Sequence, residues 1–438
     1  MNSSDNMPPA KPARWPGLAT WCLAGAALYV AAILPARAET TVTFMGWVNM
    51  FDFQKPGWAR IIENFAKAHP DIKINYIGTP AEDTLRQATA AILARRPPDI
   101  MQIQAAWVQQ LTDQDALEPL APLLGPEETG RLWKAGQDAL TFDGKLQAVP
   151  WLPSVTMWMY NRTLFKRYGL DPDKPPTTWQ GFMDTVDKIC AQPTDPANRI
   201  YPLVLRTSRD VISMTSMPYY VWAFGGEIVD AKGRPDWNNP GAVKALSWIR
   251  DMIKRGCSPD AADTQVMRSL FAQGRAVFEI DGTPAKGLIE VMSSRKMLVG
   301  PDKDAWVVPP LQGLDGRTRV VGGSNVLAIS SQSKVKQAAA TFIRFLLDDP
   351  DSVNYFYQTS LQITTSNLEV IRNGPINSDI YLQQHINAWN NANLIPIRSS
   401  RIDAIFDAIG LSVQKVINGA DPATEVKSLT QAMQAVDK

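Results

Sequence analysis

The hydrophobic pattern of the first half of the chain alternates between the period of strands and the period of helices. Residues 41–47 (TVTFMGW), 72–77 (IKINYI) and 99–103 (DIMQI) have the apolar content or the alternation of strands. Between them lie two apolar stripes at helical spacing, each ended by proline: Trp58, Ile61, Ile62 and Phe65 before Pro70, and Leu85, Ala88, Ile92 and Leu93 before Pro97 and Pro98. This order of elements predicts a parallel sheet with helices on its faces.

A second region, downstream of residue 175, repeats this organisation. Thr178 precedes one helical segment as an N-cap, and Pro240 stands at the first position of another. Gly256 follows the second helical segment, where helices commonly end in a left-handed residue. Residues 275–280 and 326–330 are predicted as short buried strands, and the chain from about residue 401 has a mostly amphipathic helical pattern.

Length and charge narrow the class of protein. A chain of 438 residues exceeds the usual size of one hydrophobic core, so two domains or lobes are expected. The composition, 45% hydrophobic and 20% charged, is that of a soluble globular protein. Because the formal net charge is +1 and no run of lysines or arginines occurs, nucleic-acid binding has no electrostatic support.

The N-terminal segment has the three parts of a secretory signal peptide. Lys11 and Arg14 precede the apolar run 18–34 (LATWCLAGAALYVAAIL), and Ala36 and Ala38 form an A-x-A cleavage site. An uncleaved membrane anchor is the alternative. The run is a little short for a span and the A-x-A site follows it directly, which favours cleavage after Ala38 and export to the periplasm. Residues 1–38 are therefore assigned to a signal peptide.

Two cysteines, Cys190 and Cys257, remain in the mature chain. In an oxidising compartment they can form a disulfide, but two buried free thiols fit the sequence equally well. The sequence alone leaves both states open.

Common local motifs of catalysis and nucleotide binding are absent from the sequence. It contains no G-x-S-x-G, Walker loop, G-x-G-x-x-G after a strand, or Cys-x-x-Cys. His69 and His385 lie in helical contexts beside polar residues and are predicted to be surface residues rather than metal ligands. A hydrolase that uses two carboxylates far apart in the chain is an alternative, but the sequence indicates no particular pair. We therefore expect a protein that is not an enzyme and has no cofactor or metal.

A set of segments, all in a fixed order, resembles the family 1 extracellular solute-binding proteins of ABC importers, the group that contains the maltose-binding protein. The most specific is residues 142–182 (FDGKLQAVPWLPSVTMWMYNRTLFKRYGLDPDKPPTTWQGF), which is similar to the family's DGK, YN, GL and TW block. The others are RPPDIMQI, DALEPLAPL, FGGEIVDAKGRPDWNNPGAVKALSWIRDMIKRG, LFAQGRAVFEIDG, GGSNVLAIS and AAATFIRFLLDDPDS. The resemblance covers most of residues 40–435.

The resemblance implies an α/β, two-lobed periplasmic binding protein fold. Each lobe is then a mainly parallel sheet flanked by helices, and crossing hinge segments join the lobes. Lobe 1 is expected to comprise residues 39–152 and 309–360, and lobe 2 residues 153–308 and 361–438. The implied protein is a monomer without a cofactor that closes over a small solute and delivers it to ABC permease subunits in the inner membrane.

Aromatic rings and polar groups near strand ends indicate the ligand site, because a sugar needs flat apolar surface for its C–H faces and hydrogen-bonding groups for its hydroxyls. For the rings, ordinary core packing is the alternative; for the glycine pair it is a turn, and for Arg398 a solvated surface residue, which is favoured. Only one of Tyr219 and Tyr220 is expected to face a cleft. The candidate ligand-binding residues are Trp47, Gln104, Trp107, Trp151, Ser154, Tyr219, Trp222, Gly282, Thr283, Gly323, Ser324, Asn325 and Arg398.

The stretch 148–165 contains the expected crossing between lobes. Pro150 and Pro153 would keep it extended, with Trp151 and Ser154 at the hinge and the cleft floor. On the strand that follows, Trp158 and Tyr160 share one face, and for Tyr160 core packing is favoured.

Because of two departures from the maltose-type pattern, the sequence does not determine which ligand is bound. Ser154 stands where relatives often carry a carboxylate, and Pro284 stands near the position of an aromatic ring in many of them. A sugar, as an oligosaccharide or glycoside, is the first expectation. Alternatives are a glycerol-phosphate-type anion neutralised by Arg398, a secreted glycan-active enzyme, and a sensor that presents its ligand to a membrane receptor.

Overall fold

The computed structural model describes residues 39–193, 198–361, 363–389 and 392–437. The predicted signal peptide, residues 1–38, lies outside this part of the chain. In the described ranges, no helix combines the length and apolar character that crossing a bilayer requires.

The strands, in chain order, are β1 Thr40–Gly46, β2 Ile72–Gly78, β3 Ile100–Gln104, β4 Thr141–Phe142, β5 Lys145–Leu146, β6 Val149–Val155, β7 Met157–Asn161, β8 Tyr201–Leu203, β9 Ala276–Asp281, β10 Ala305–Val307, β11 Val320–Ile329 and β12 Ala392–Leu394. The α-helices are α1 Lys55–Ala68, α2 Ala81–Leu93, α3 Val108–Thr112, α4 Ala121–Leu124, α5 Pro126–Arg131, α6 Lys134–Ala139, α7 Arg162–Arg167, α8 Trp179–Cys190, α9 Val211–Met214, α10 Met217–Ala223, α11 Pro240–Lys254, α12 Thr264–Ala272, α13 Ala285–Met292, α14 Lys336–Asp348, α15 Pro350–Thr359, α16 Leu368–Asn373, α17 Ile380–Trp389, α18 Ile402–Ile417 and α19 Pro422–Val436. Short 3₁₀ turns occupy Ala105–Trp107 and Pro375–Ser378.

The first sheet has the order β12-β11-β3-β1-β2, with β6 paired to β11. β1 is parallel to both β2 and β3, which confirms the strand–helix–strand–helix–strand prediction for residues 40–104. β11 runs antiparallel to β3 and to β6 and brings residues from late in the chain into the centre of this sheet. The carboxyl ends of β1, β2 and β3 therefore lie at one edge, where open α/β sheets bind ligands.

The second sheet has the order β10-β7-β9-β8 and combines two antiparallel pairings with one parallel pairing. β7 follows β6 after a single residue, so the crossing strand continues directly from the first sheet into the second. A cluster of rings from β7, α8, α10 and β9 covers one face, with the Trp158 ring tilted against Phe182 at a centroid distance of 4.5 Å. Tyr160 is also buried there, as predicted.

Local sequence signals explain where several helices begin and end. The Thr178 hydroxyl accepts a hydrogen bond from the Gly181 backbone N–H at the start of α8. The Asn239 side chain caps α11 in the same way, with Pro240 at the first helical position. Gly256, just beyond α11, has a φ of +69°, the left-handed conformation predicted for it.

The histidine prediction is wrong for His385, which is 1% exposed. Its position in α17 faces the interior, where the imidazole packs on the Tyr381 ring at 4.6 Å and its Nδ1 lies 3.4 Å from the Thr283 hydroxyl. Burial lowers the pKa of His385 to about 3, because the charged form loses its water. The ring is thus neutral under all physiological conditions. The prediction failed because the polar neighbours of His385 in the sequence do not show that this residue lies on the buried face of its helix.

Cys190 and Cys257 form a disulfide, which settles the question that the sequence left open. Cys190 ends α8 and Cys257 follows the α11 terminus, and their Cα atoms are 5.4 Å apart. The bond joins the end of α8 to the residues that follow α11, beside β8. It fits a protein exported to an oxidising compartment.

The boundaries of the two lobes stay a prediction. Helices α1 and α14 pack with the first sheet and α15 packs on both of them, whereas α18 packs with α9, α11 and α19. β12 joins the first sheet through β11.

Glu128 in α5 makes stability depend on pH. The side chain is 5% exposed, and burial, followed by the adjacent Asp348 carboxyl, raises its pKa to about 8. A carboxyl whose folded pKa is raised stabilises the fold below its unfolded pKa, and this contribution is lost as the pH rises through about 8. Glu128→Gln keeps the neutral form, so its melting temperature should fall less than that of the wild type between pH 5 and pH 9. The exposed neighbour Glu127→Gln is the matched control, and equal pH slopes for Glu128→Gln and the wild type would contradict this assignment.

Candidate functional site

A cavity of about 780 Å³ opens beside the carboxyl end of β3. Its walls come from the first sheet (β3, β6 and β11) on one side and, on the other, from α18 and the residues that flank α9, Asp210 and Thr215. The volume is in the range of small-molecule sites. It is lined by Ala81, Gln104, Ala105, Ala106, Trp107, Gln109, Asp138, Ala139, Phe142, Ser154, Thr156, Asp210, Thr215, Val321, Gly322, Gly323, Ile395, Pro396, Ile397, Arg398, Asp403 and Phe406.

Trp107 reaches the cavity because β3 ends in a 3₁₀ turn rather than running directly into a helix. Gln104 is the last residue of β3, and the turn Ala105–Trp107 places the indole three positions later. The ring is 7% exposed and lines the cavity, while Nε1 donates to Asp403 Oδ1 at 3.2 Å. The indole is therefore fixed at its polar edge.

Asp403 lies in the first turn of α18, where a helix favours a negative charge. Burial raises its pKa, and the hydrogen bond from Trp107 opposes that rise. The residue stands 296 positions after Trp107, so the bond joins the first sheet to the α9–α18 side of the cavity.

The Trp107–Asp403 bond should appear as an energetic coupling. Trp107→Phe and Asp403→Ala each remove it, so the double variant should be more stable than the sum of the single losses predicts, by about 1 kcal/mol. Urea unfolding of the four proteins measures this coupling. Losses that simply add would show that the bond contributes nothing.

The floor of the cavity is formed where β6 meets the loop after β9. Ser154 Oγ accepts a hydrogen bond from the Thr283 backbone N–H at 3.0 Å. Among the described residues no acceptor takes the Ser154 O–H, which leaves it able to donate to a ligand. A Cβ at Gly282 would overlap Ser154 Oγ, so glycine is needed for this close approach. Gly282 and Thr283 thus contact Ser154 on the side away from the cavity and do not line the cavity themselves.

Gly322 and Gly323 present backbone to the cavity from β11. Gly323 pairs with Ser154 in the sheet register. A Cβ at Gly323 would meet no atom within 4 Å, so the strand leaves open space there. Ser324 and Asn325 continue the strand, where Asn325 pairs with Gln104 and does not line the cavity. The Ser324 side chain lies outside the described part of the structure.

Charges in the cavity wall are mostly negative. Three carboxylates (Asp138, Asp210 and Asp403) and one guanidinium (Arg398) line it. The Arg398 guanidinium lies 5.0 Å from the Phe142 ring centroid in a cation–π contact. It also donates to the backbone carbonyls of Thr141 and Asp138 at 3.5 and 3.4 Å. The described residues contain no group of three or more His, Cys, Asp or Glu side chains placed to hold a metal ion.

The structure brings Gln104, Trp107, Ser154, Gly323 and Arg398 together around the cavity, and it places the other candidate rings elsewhere. Trp151 is buried with its ring 6.1 Å from Phe44 and 6.4 Å from Phe356. Ser154 lines the cavity, whereas Trp151, at a register shift between β6 and β11, is buried against these two rings.

Tyr219, Trp222 and Trp47 also lie outside the cavity lining. Tyr219 and Trp222 belong to α10, which is buried along its length, and the Tyr219 ring packs on Trp158 and Trp179. Trp47 is buried just past β1, and its backbone N–H donates to Gln102 Oε1 at 3.0 Å. The ligand role of all these rings stays a prediction.

Sequence reasoning missed Asp403, Phe142, Asp138 and Asp210. Asp403 had one visible signal, an acid at the start of the C-terminal amphipathic helix. Phe142 belongs to the two-residue strand β4, too short to show any periodicity. Asp138 and Asp210 carry no signal that separates them from surface acids.

A family model described as bacterial extracellular solute-binding protein matches residues 53–351. The chain belongs to this family. The ordered segments of the sequence and the two-sheet fold with its cavity agree with that assignment, and members of the family bind solutes outside the cytoplasm.

Several relatives and solved structures are similar to the chain. A mannitol-binding protein of Pseudomonas aeruginosa is 24% identical over 326 residues, covering 73% of this chain and 71% of that protein. An sn-glycerol-3-phosphate-binding periplasmic protein of Shigella dysenteriae is 23% identical over 367 residues, covering 79% of each. The crystal structure of an ABC transporter solute-binding protein from Thermotoga lettingae, bound with α-D-tagatose, superposes with a TM-score of 0.79 at 22% identity, covering 92% of this chain and 100% of that one. These structural neighbours confirm the two-lobed periplasmic binding protein fold.

Proposed function

We propose that this protein is the substrate-binding component of an ABC importer, and that it captures a carbohydrate in the cavity and delivers it to permease subunits in the inner membrane. One observation carries the proposal: a fixed indole, Trp107, faces a cavity that Gln104 and Ser154 line with hydrogen-bonding groups. A flat ring receives the C–H face of a sugar, while amide and hydroxyl groups bind its hydroxyls.

The comparisons support the class of solute. The similar proteins carry names or bound ligands that are sugars or polyols, among them mannitol, α-D-tagatose and maltose. The proposal includes a periplasmic location after removal of residues 1–38. It also includes closure of the two lobes over the ligand.

A solute panel tests the proposal directly. At least one neutral sugar or polyol among mannitol, tagatose, maltose and maltotriose is expected to raise the melting temperature of the mature chain. Mass analysis of the recovered sugar should show it unchanged, because a binding protein releases what it takes up. A chemically altered sugar would indicate a glycan-active enzyme instead.

A phosphate-bearing solute is the second candidate, because Arg398 lines the cavity and one similar protein binds sn-glycerol 3-phosphate. Three carboxylates in the same wall oppose a dianion. Affinity for a neutral sugar should change little between low and high salt, whereas phosphate binding through Arg398 should weaken steeply. If sn-glycerol 3-phosphate raises the melting temperature, none of the four neutral solutes does, and Arg398→Ala loses the response, the sugar assignment is replaced.

A further inference from the structure

The turn that follows β9, residues 282–285 and called the β9 turn below, contacts the cavity floor from outside the cavity. Its Thr283 backbone N–H donates to Ser154 Oγ at 3.0 Å, and neither Gly282 nor Thr283 lines the cavity. The Gly282 carbonyl accepts a hydrogen bond from the Ala285 N–H at 3.0 Å, which closes the turn. A hydroxyl that accepts from a fixed N–H directs its own hydrogen elsewhere, so the β9 turn decides where Ser154 donates.

The strand register explains why this turn meets Ser154. Asp281, the last residue of β9, pairs with Met157 of β7. β7 follows β6 after a single residue, so Ser154 lies three positions before Met157 in the chain. The β9 turn therefore begins beside the point where the chain passes from the first sheet to the second.

A buried ion pair holds the start of the turn. Arg268 of α12 donates to the Asp281 carboxylate through Nε at 2.6 Å and through Nη2 at 3.0 Å. The same carboxylate accepts the Gly282 N–H at 2.7 Å, and the Asp281 side chain is 6% exposed. Burial works against the charged form, but the Arg268 guanidinium and the other donors outweigh it and lower the pKa of Asp281. One ionised carboxylate thus joins α12 to the β9 turn by a bidentate bond, the strong kind of ion pair.

Tyr381 of α17 holds the same turn from its other side. The Tyr381 hydroxyl donates to the Thr283 carbonyl at 2.9 Å and accepts the Lys286 N–H at 3.2 Å. Thr283 is fully buried, and its hydroxyl lies 3.4 Å from His385 Nδ1. The backbone N–H, the carbonyl and the side chain of Thr283 are therefore all in polar contact, which fixes the N–H that Ser154 accepts.

We infer that Arg268 and Asp281 are positioning residues for solute binding: they hold the β9 turn so that the Ser154 hydroxyl accepts from Thr283 and donates its own hydrogen into the cavity. The inference rests on the proposed function and adds two residues that do not line the cavity. It also assigns a preference to the solute. The carboxylates of the cavity wall only accept hydrogen bonds, whereas Ser154 donates one, so the solute needs an acceptor oxygen at Ser154.

A double-mutant cycle on affinity tests this role, with calorimetry and the best sugar of the solute panel. Ser154→Ala removes the donor and should lower affinity about fivefold. Arg268→Met together with Asp281→Ala, called the pair variant below, removes both charges, so no unpaired charge stays buried. The pair variant should lower affinity about threefold, because the solute must then order the hydroxyl itself. In the Ser154→Ala background the same two substitutions should change affinity by less than about twofold.

Arg162→Met is the matched control. Arg162, directly after β7, forms an ion pair with Asp173, its side chain is 9% exposed, and it does not line the cavity. This substitution should lower the melting temperature and leave affinity unchanged. Tyr381→Phe releases the β9 turn without removing a charge, and its affinity loss should likewise disappear in the Ser154→Ala background. It carries the test if the pair variant does not fold. In the protein without sugar, amide hydrogen exchange of residues 282–285 should be faster in both turn variants and unchanged in Arg162→Met.

The other outcomes overturn the inference in separate ways. Affinity losses of equal size with and without the Ser154 hydroxyl would make the ion pair a purely structural element. Unchanged amide exchange in the pair variant would show that Arg268 and Asp281 do not hold the turn. Unchanged affinity in Ser154→Ala, or in variants whose turn exchanges faster, would show that the solute does not use a positioned hydroxyl. A wild type that binds no solute of the panel would remove the proposed function and this role together, whereas simple additivity in a wild type that binds sugar would remove only this role.

Discussion

Replacing Cys190 and Cys257 together with alanine is expected to lower the free energy of unfolding by about 4 kcal/mol. The disulfide closes a loop between residues 67 positions apart, and the loss of chain entropy in the unfolded state grows with loop length. Alanine is the better replacement because Cys257 is fully buried, and a serine hydroxyl there would need a hydrogen-bond partner. Guanidinium unfolding of oxidised and reduced protein measures the difference.

The double alanine variant also provides the control for this prediction. A reducing agent should destabilise the wild type and leave the variant unchanged, because only the wild type has a disulfide to lose. If the wild type unfolds at the same denaturant concentration with and without reductant, the bond makes no contribution and the prediction fails.

Trp107→Ala is expected to lower affinity for the carbohydrate about 100-fold. A tryptophan held in a cavity wall is the kind of residue that contributes about 2–3 kcal/mol at binding hot spots. The variant removes the flat surface proposed to carry the sugar ring and also releases Asp403 from its indole partner. Isothermal calorimetry with the best sugar of the panel gives the affinity.

Trp107→Phe separates the two effects of that substitution. Phenylalanine keeps a ring in the cavity but lacks the N–H that Asp403 accepts, so affinity should fall less than in Trp107→Ala. Trp151→Phe is a comparison at a tryptophan whose ring lies in the core beside Phe44 and Phe356, and it should leave affinity unchanged. Equal affinities for wild type and Trp107→Ala would remove the indole from the site.

The fold was largely predictable because its signals are local. The strands and helices of residues 40–104 follow from apolar periodicity and proline positions, and α11 follows from Asn239, Pro240 and Gly256. The disulfide was not predictable, since sequence spacing does not report the distance between two helix ends. β12 was also missed, because a three-residue strand shows no period and depends on its pairing with β11.

The cavity was predictable only in part. Strand ends identified Gln104 and Trp107, since ligands collect at the carboxyl edge of a parallel sheet. Periodicity could not tell which aromatic residues turn toward that edge: Trp151 and Ser154 are three positions apart in one strand and face opposite sides. The start of the C-terminal helix marks Asp403 as an acid, but its role in the cavity could not be found from the sequence, because that role depends on contact with Trp107.

A crystal structure of the mature protein with the sugar that raises its melting temperature most is the most direct test. The account predicts a sugar ring against the Trp107 indole, with its hydroxyls bonded to Gln104 and Ser154. A sugar bound away from this cavity, or a cavity that accepts only an anion held by Arg398, would contradict it.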